Sequence, residues 1–433
     1  MPASSIDNDQ RFMSLALALG RRGLGNTWPN PSVGAVVVRH DGAEPVIVGR
    51  GWTQPGGRPH AETEALRRAG PAARGATLYA TLEPCSHHGK TPPCTDAIIA
   101  AGVVRVVSAI EDPNALAGSG HALLRASGIA VDVGVGAAEA KRAHAGHIRR
   151  VCDHRPHICL KLAVSADGKA GYAGRKPAPI TGDSARARVH LMRAMNDAIL
   201  TGIGTALADD PQLTCRLPGM AERSPRRVVL DTGLRLPVTS ALVRSARETP
   251  VWVIAGERAP EPAETALVAL GVEVFRVPTG GGVSPVVRRT PLSPPLYGEG
   301  SAIETGSTGF GHSAGQLKSA TAEFDSGEGE VIAMPHVPSA TGGRLDLLAV
   351  THLLAERGIT RLMVEGGPIV AAAFLTADLV DEVVLLRGPR LIGRNGIDAL
   401  EDMPLTALTD SPRLRSQGIK TVGEDAIETF ERI

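Results

Sequence analysis

His60-Ala61-Glu62, Pro84-Cys85 and Cys94 decide the reading of this chain. One imidazole and two thiols hold a zinc ion and leave its fourth tetrahedral position open, which marks a catalytic rather than a structural site. A neutral histidine with two thiolates cancels the charge of the metal, so a hydroxide in the open position carries the only net charge. Glu62 is spaced to stand beside that water without ligating the ion, as a general acid and base must. A blander alternative is a zinc that only staples the loop, with His87 or His88 as fourth ligand, which leaves Glu62 without a role.

Outward from this stretch, strand and helix alternate. Residues 77–82 read as a strand running straight into Glu83-Pro84-Cys85. A helix over 60–69 opens after Gly56-Gly57 and Pro59, with His60 and Glu62 in its first turn. Residues 95–101 read as a further helix and 103–109 as a strand. Upstream, 8–22 has Phe12, Ala16 and Leu19 on one helical face. Pro29-Asn30-Pro31-Ser32 makes a turn into a strand over 33–38, with 46–51 as its hairpin partner. Such alternation predicts a layered α/β domain.

A length of 433 residues suggests two or three domains at ~100–200 residues each. The formal charge of +1 advertises neither a nucleic-acid surface nor an anionic membrane partner. Aromatics at 3% offer no base-stacking platform. Five cysteines, an odd number, are no disulfide framework and fit a reducing cytosol. Neither a signal peptide nor an apolar run near ~20 residues is present, so a cytoplasmic location is expected.

Four phrases of the first half carry a specific resemblance. They are Asn30-Pro31-x-Val33-Gly34-Ala35, His60-Ala61-Glu62, Thr81-Leu82-Glu83-Pro84-Cys85-Ser86-His87-x-Gly89-Lys90-Thr91-Pro92-Pro93-Cys94 and Asp112-Pro113-Asn114. Together they resemble the deaminase half of the bifunctional riboflavin-biosynthesis deaminase/reductase family. Zinc deaminases in general carry H-x-E with a later P-C-x-x-C; here residues 86–93 separate the cysteines, a gap normal in this family. The resemblance implies a cytidine-deaminase-like three-layer domain with zinc on His60, Cys85 and Cys94 and Glu62 as catalytic proton carrier. It also implies a phosphoribosyl-aminopyrimidine held by Asn30, His87, Lys90, Asp112 and Asn114. Lys90 has the blander and weaker alternative of a solvated loop lysine, while Asn30 reads equally as a turn residue. After Asn114 the chain departs from the family, with Ala115-Leu116-Ala117-Gly118-Ser119-Gly120 in place of the usual Pro and basic stretch.

A domain boundary is read near residue 150, dividing the chain into 1–150 and 151–433. Residues 158–164 form a near-continuous apolar strand of the kind buried on both faces, leaving by the turn Ser165-Ala166-Asp167-Gly168-Lys169. A helix is expected over 186–195 and a strand ending in a glycine turn over 197–205. Further strands fall at 227–230, 251–255 and 272–277, and a helix at 345–357. Residues 361–368 turn into an apolar helix over 369–375. Glu365-Gly366-Gly367, a strand end opening onto a helix N-terminus, suits a phosphate, although a lone Gly-Gly is also a plain turn.

Lys161, Ser165-x-Asp167-Gly168-Lys169, Ile180-Thr181, Gly202-x-Gly204-Thr205, Asp209-x-Pro211-x-Leu213-Thr214-x-Arg216 and Glu365-Gly366-Gly367 resemble the reductase half of the same family. That half is similar to dihydrofolate reductase, an α/β fold, and uses NADPH. By this resemblance Lys161, Thr181, Arg193, Asp209, Leu213, Arg216 and Glu365 face the substrate. Lys161 and Asp209 would be catalytic, an acid promoting ring opening and a cation balancing phosphate or a developing alkoxide. Ala163, Thr205, Asp209, Gly366 and Gly367 would meet the cofactor. Pro179 stands where the family usually has Trp.

Residues 279–343, rich in Gly, Ser, Thr and Pro without a sustained period, read as a disordered insertion that leaves and re-enters the domain at neighbouring points. A homo-oligomer, dimer or tetramer, built through the second half is also implied by the resemblance. Two rivals stay open. One is a nucleoside or tRNA-base deaminase fused to an inactive reductase-like domain, and the other a zinc-stapled nucleotide-binding protein without turnover.

Overall fold

Two separate sheets carry the expected alternation in a computed structural model that describes residues 5–42, 44–89, 91–115, 117–280 and 343–433. Lys90 and nearly all of the 279–343 tract therefore lie outside the described residues. The first sheet contains β1 (Gly34–Arg39), β2 (Val46–Trp52), β3 (Thr77–Ala80), β4 (Arg105–Ser108) and β5 (Ala130–Val133) in the order β2-β1-β3-β4-β5. β1 is antiparallel to β2 and β3, and β3, β4 and β5 run parallel. Ala35 to Val38 have no exposed surface because helices cover both faces of β1. Helix Ser5–Gly20 buries Phe12, Met13, Ala16 and Leu17 against it. The approach is so close that a Cβ on Gly34 would lie 1.8 Å from the Ala16 carbonyl oxygen. On β2, Gly49 and Gly51 likewise admit helix Ala61–Ala69, since a Cβ at either would stand 2.2 Å from its carbonyls.

The remainder folds around β6 (His157–Val164), β7 (Lys169–Gly171), β8 (Ala198–Gly202), β9 (Arg226–Leu230), β10 (Val251–Gly256), β11 (Glu273–Val277), β12 (Arg361–Val364), β13 (Glu382–Arg387), β14 (Ile397–Asp398), β15 (Leu414–Val422) and β16 (Asp425–Arg432). Nine of them form one sheet in the order β11-β10-β9-β8-β12-β6-β13-β16-β15, while β7 pairs with β14. All neighbours from β11 to β13 are parallel, and β16 and β15 close the edge antiparallel. A parallel sheet is buried on both faces, and β8, β10 and β12 are accordingly apolar and almost wholly buried.

Three expectations need correction. The glycine turn after β8 is the start of helix Ile203–Asp209, because Gly202 is an extended N-cap and Ile203 and Ala206 bury an apolar face. The expected helix over 186–195 begins earlier, at Asp183, whose charge suits the positive helix end. Leu345 is not helical: it forms an antiparallel bridge with Thr279, and the Asp346 carboxylate caps helix Leu347–Glu356 by accepting from Leu348 and Ala349 N–H. The 279–345 gap thus starts and ends at paired residues. No helix among the described residues is long and apolar enough to cross a membrane.

The two sheets are joined by polar seams. Arg223 donates to the Leu24 and Arg22 carbonyls at 2.6 and 3.1 Å, and Arg150 donates to Ala355 O at 2.8 Å.

Candidate active site

β3 ends at Ala80 and the chain descends through a loop that delivers Cys85, then Cys94 as the first residue of helix Cys94–Ala101. His60 enters from the other side as the extended N-cap of helix Ala61–Ala69, which places Glu62 in the first turn. His60 Nδ1 lies 3.6 Å from Cys85 Sγ and 3.4 Å from Cys94 Sγ, and all three donor atoms fall within 4.8 Å of one another. A tetrahedral zinc with ordinary Zn–N and Zn–S bonds spaces nitrogen and sulfur by about 3.6 Å, so the residues fit the ion. The hydrogen bond between the two thiols lowers Cys85 and, together with burial, raises Cys94, so the pair holds one ready thiolate and a metal must displace the proton of the other. His87 and His88 are exposed and stand outside this donor set, which removes the stapled four-ligand alternative.

Glu62 is buried, and its Oε2 has no hydrogen-bond partner among the described residues. Burial pushes its carboxyl up to about 7. A group poised near neutrality accepts and returns a proton with little cost in either direction. Asn30 donates to Gly57 O at 2.8 Å and sits 3.4 Å from His60 Nε2, so it buttresses the ligand from the face opposite the cysteines. Asp112 is engaged by the protein: Oδ1 accepts from His147 Nε2 at 2.8 Å and from Asn114 N at 2.9 Å. The Asn114 carbonyl accepts from Ala117 and Gly118 N–H, and Ser86, next to Cys85, donates to the carbonyls of those two residues.

Sequence reasoning assigned no role to two further groups here. Glu83 is a buried carboxylate that accepts from Asp112 N at 3.1 Å and His121 N at 2.9 Å, which fixes the approach to Cys85. His147 lies in the connector, which composition showed only as rich in His and Arg; nothing in the sequence pairs it with Asp112.

At the carboxyl ends of the parallel strands, a second cluster forms. Glu365, just after β12, accepts from Nε and Nη2 along one edge of the Arg193 guanidinium, each at 3.0 Å, and from Lys161 Nζ at 3.3 Å. Burial alone would raise its carboxyl, but the charges of Lys161 and Arg193 overcome that and leave it at about 2. Arg193 also donates to Thr214 O at 3.0 Å, which ties the 209–216 loop to the cluster. Leu213 in that loop is buried with φ +55°. Ala163 follows Lys161 by two residues on β6 and so shares its face. Thr205 Oγ1 accepts from Gly367 N at 3.0 Å, joining the helix after β8 to the N-terminus of helix Pro368–Thr376. The N-cap of that helix is Gly367, which carries no side chain, so the positive helix end is open to a dinucleotide phosphate.

Thr181, Asp209 and Arg216 share no hydrogen bond with the Glu365 cluster among the described residues. The Thr181 carbonyl accepts from Arg186, and Arg216 donates to Gln212 Oε1 at 3.2 Å. Asp209 ends helix Ile203–Asp209, and partial desolvation raises its carboxyl. Pro179 is exposed beside Ile180.

Residues 6–110 match the family described as the cytidine and deoxycytidylate deaminase zinc-binding region. Residues 156–285 and 314–427 match the RibD C-terminal domain, passing over 286–313. The chain is 37% identical to riboflavin biosynthesis protein RibD of Escherichia coli over 96% of its own length and 97% of that protein. It is 35% identical to the protein of the same name from Aquifex aeolicus, with 98% of each covered. A Thermotoga maritima structure titled diaminohydroxyphosphoribosylaminopyrimidine deaminase/5-amino-6-(5-phosphoribosylamino)uracil reductase superposes with a TM-score of 0.72 at 30% identity, covering 99% of both chains. Identities of 37% and 35% over nearly the whole length of both chains, together with both halves matched in order, place this chain in the RibD family of riboflavin-biosynthesis proteins.

Proposed function

We propose that the chain performs two successive reactions on one phosphoribosyl-aminopyrimidine, a hydrolytic deamination followed by NADPH-dependent reduction of the ribosyl group to a ribityl chain. The observation that carries this reading is the His60, Cys85 and Cys94 donor set with the buried Glu62 carboxyl in electrostatic reach of it. Zinc, when bound there, supplies a nucleophilic water near neutral pH. Glu62 takes the first proton of that water at Oε2 and hands it to the ring nitrogen, then takes the remaining proton of the added hydroxyl and passes it to the amine, which departs as ammonia. Asn30 holds the His60 ring, while His87, Lys90, Asp112 and Asn114 grip the phosphoribosyl part.

In the second half NADPH, when bound, supplies the hydride. Lys161 and Arg193, locked in place by Glu365, present fixed positive charge to the substrate, and such preorganised charge is worth more than a mobile one. Asp209, with its raised carboxyl, is the acid of this site, and Thr205 with Gly366 and Gly367 holds the cofactor phosphates. The aligned ends of β6, β8 and β12 support this placement, since ligands of open parallel sheets bind beyond the carboxyl ends.

The same reading divides the chain at 1–150 and 151–433 with an insertion at about 279–343, makes it a cytoplasmic homo-oligomer, and can be tested at each point. Limited proteolysis should cut first inside 279–343, and sedimentation should give a dimer or tetramer. The decisive assay supplies the phosphorylated diaminopyrimidine to zinc-loaded enzyme. Ammonia should appear first, and NADPH oxidation should then follow. Chelating the zinc should stop ammonia release and spare NADPH oxidation on substrate deaminated beforehand. Enzyme that releases no ammonia refutes the first half of the reading, and ammonia without NADPH oxidation refutes the second.

A further inference from the structure

Arg58 belongs to no motif of the sequence, yet it stands at the mouth of the zinc-donor cluster. Its backbone is extended (φ −149°, ψ 147°) between Gly57 and Pro59, two residues before His60. Gly57 has φ +85°, and a Cβ there would lie 2.8 Å from both Asn30 Nδ2 and the Thr27 carbonyl oxygen. The segment is thus pressed onto the Asn30 turn, which fixes where Arg58 departs. Its side chain crosses to the loop between the two cysteines, where Nη1 donates to Thr91 Oγ1 at 2.6 Å. Nη2 faces Gly89, 3.4 Å from where a Cβ would be, so no side chain there covers that edge. The guanidinium charge is felt at His60.

Arg67, Arg68 and Arg105 of the same half are each matched to a carboxylate, Glu64 for the first two and Asp9 for the third. Arg58 pairs with none among the described residues, and neither 55–60 nor 85–95 contains an acidic residue. A guanidinium has five N–H donors in a planar fork that matches two phosphate oxygens. Among the described residues only one of those donors is engaged, by Thr91.

We propose that Arg58 binds the phosphate of the pyrimidine substrate, with its free edge on two phosphate oxygens and the Thr91 bond setting the plane of the fork. It thereby selects the phosphorylated compound over its dephosphorylated form. This rests on the deaminase reading above and adds the residue that sets its specificity.

The test is Arg58→Gln in the zinc-loaded full chain. Ammonia release is measured with the phosphorylated diaminopyrimidine and with the same compound after phosphatase treatment. KM for the phosphorylated compound should rise about ten- to hundredfold. KM for the dephosphorylated one should move by less than about twofold, with kcat, zinc content and reductase rate kept. Arg58→Lys keeps the charge but loses the fork, and should fall between; it also decides the matter if the Gln variant loses zinc. Equal shifts for the two compounds, or no shift, overturn the proposal. Wild-type enzyme that releases no ammonia from either compound refutes the deaminase reading instead, which is a different result.

Discussion

His157 makes the second sheet sensitive to acid by an amount that can be worked out. It begins β6 and is almost wholly buried, and its Nδ1 has no hydrogen-bond partner among the described residues. Burial, with the Arg361 charge beside it, lowers the imidazole to about 3 from an ordinary 6.5. The folded chain therefore holds His157 neutral where the unfolded chain protonates it. Stability is complete above the unfolded value, falls as pH drops below 6.5, and the loss ends only near 3. Each pH unit inside that window costs about 1.4 kcal/mol, so moving from about pH 8 to about pH 5 removes roughly 2 kcal/mol through this residue. His157→Gln cannot titrate. Whatever the replacement does to stability at the higher pH, the loss between the two pH values should shrink by about 2 kcal/mol. Urea unfolding of both proteins at the two pH values, with zinc present, gives that double difference. An unchanged loss in the variant refutes the reasoning, as does an imidazole signal showing His157 already protonated at about pH 6.

Glu62→Gln should keep its zinc and its reductase rate while ammonia release falls by about 10²-fold or more; a variant that still turns over at the wild-type rate removes Glu62 from the chemistry. Glu365→Ala leaves Lys161 and Arg193 facing each other without a counter-charge, and should lower stability by roughly 3–5 kcal/mol in urea unfolding and abolish NADPH oxidation. His147→Leu strips the Asp112 carboxylate of its imidazole donor. It should raise the deaminase KM and cost about 1–3 kcal/mol, with the reductase rate as internal control; an unchanged KM would show that Asp112 needs no such anchor. Gly120→Ala would put a Cβ 1.8 Å from the Pro84 carbonyl oxygen, one residue before Cys85 of the donor cluster. Zinc retention should drop and thermal stability should fall by about 1–3 kcal/mol, measured by metal content after dialysis and by melting.

The clustering of His60, Cys85 and Cys94 beside Glu62 was legible because the motif is local in type and short in spacing: a His, a Glu two residues on, and two thiols. Strands such as β1 and β6 were legible because burial on both faces makes them uniformly apolar. Contacts of long sequence separation were not. His147 meets Asp112, and Arg58 meets Thr91, through loop paths on which no periodicity bears. The helix Ile203–Asp209 escaped because Gly202 and Gly204 read as a turn, although burial of Ile203 and Ala206 outweighs the low helix propensity of one interior glycine. β15 and β16 went unread because β15 is an exposed edge whose residues carry little apolar alternation. In the second half, the substrate and cofactor residues rested on resemblance, and the ion-pair geometry of Lys161, Glu365 and Arg193 required the fold.

The bridge between Thr279 and Leu345, reinforced by Asp346 N–H donating to the Pro278 carbonyl at 3.0 Å, acts as a clasp. Once the two chain ends are fastened side by side, the sheet on either side is indifferent to how much chain hangs from them, because loop length adds only slowly to the closure cost. The clasp therefore turns this point of the fold into a socket. A short turn, a tag or an entire foreign domain whose own termini lie close together can occupy it without disturbing the order β11-β10-β9-β8-β12.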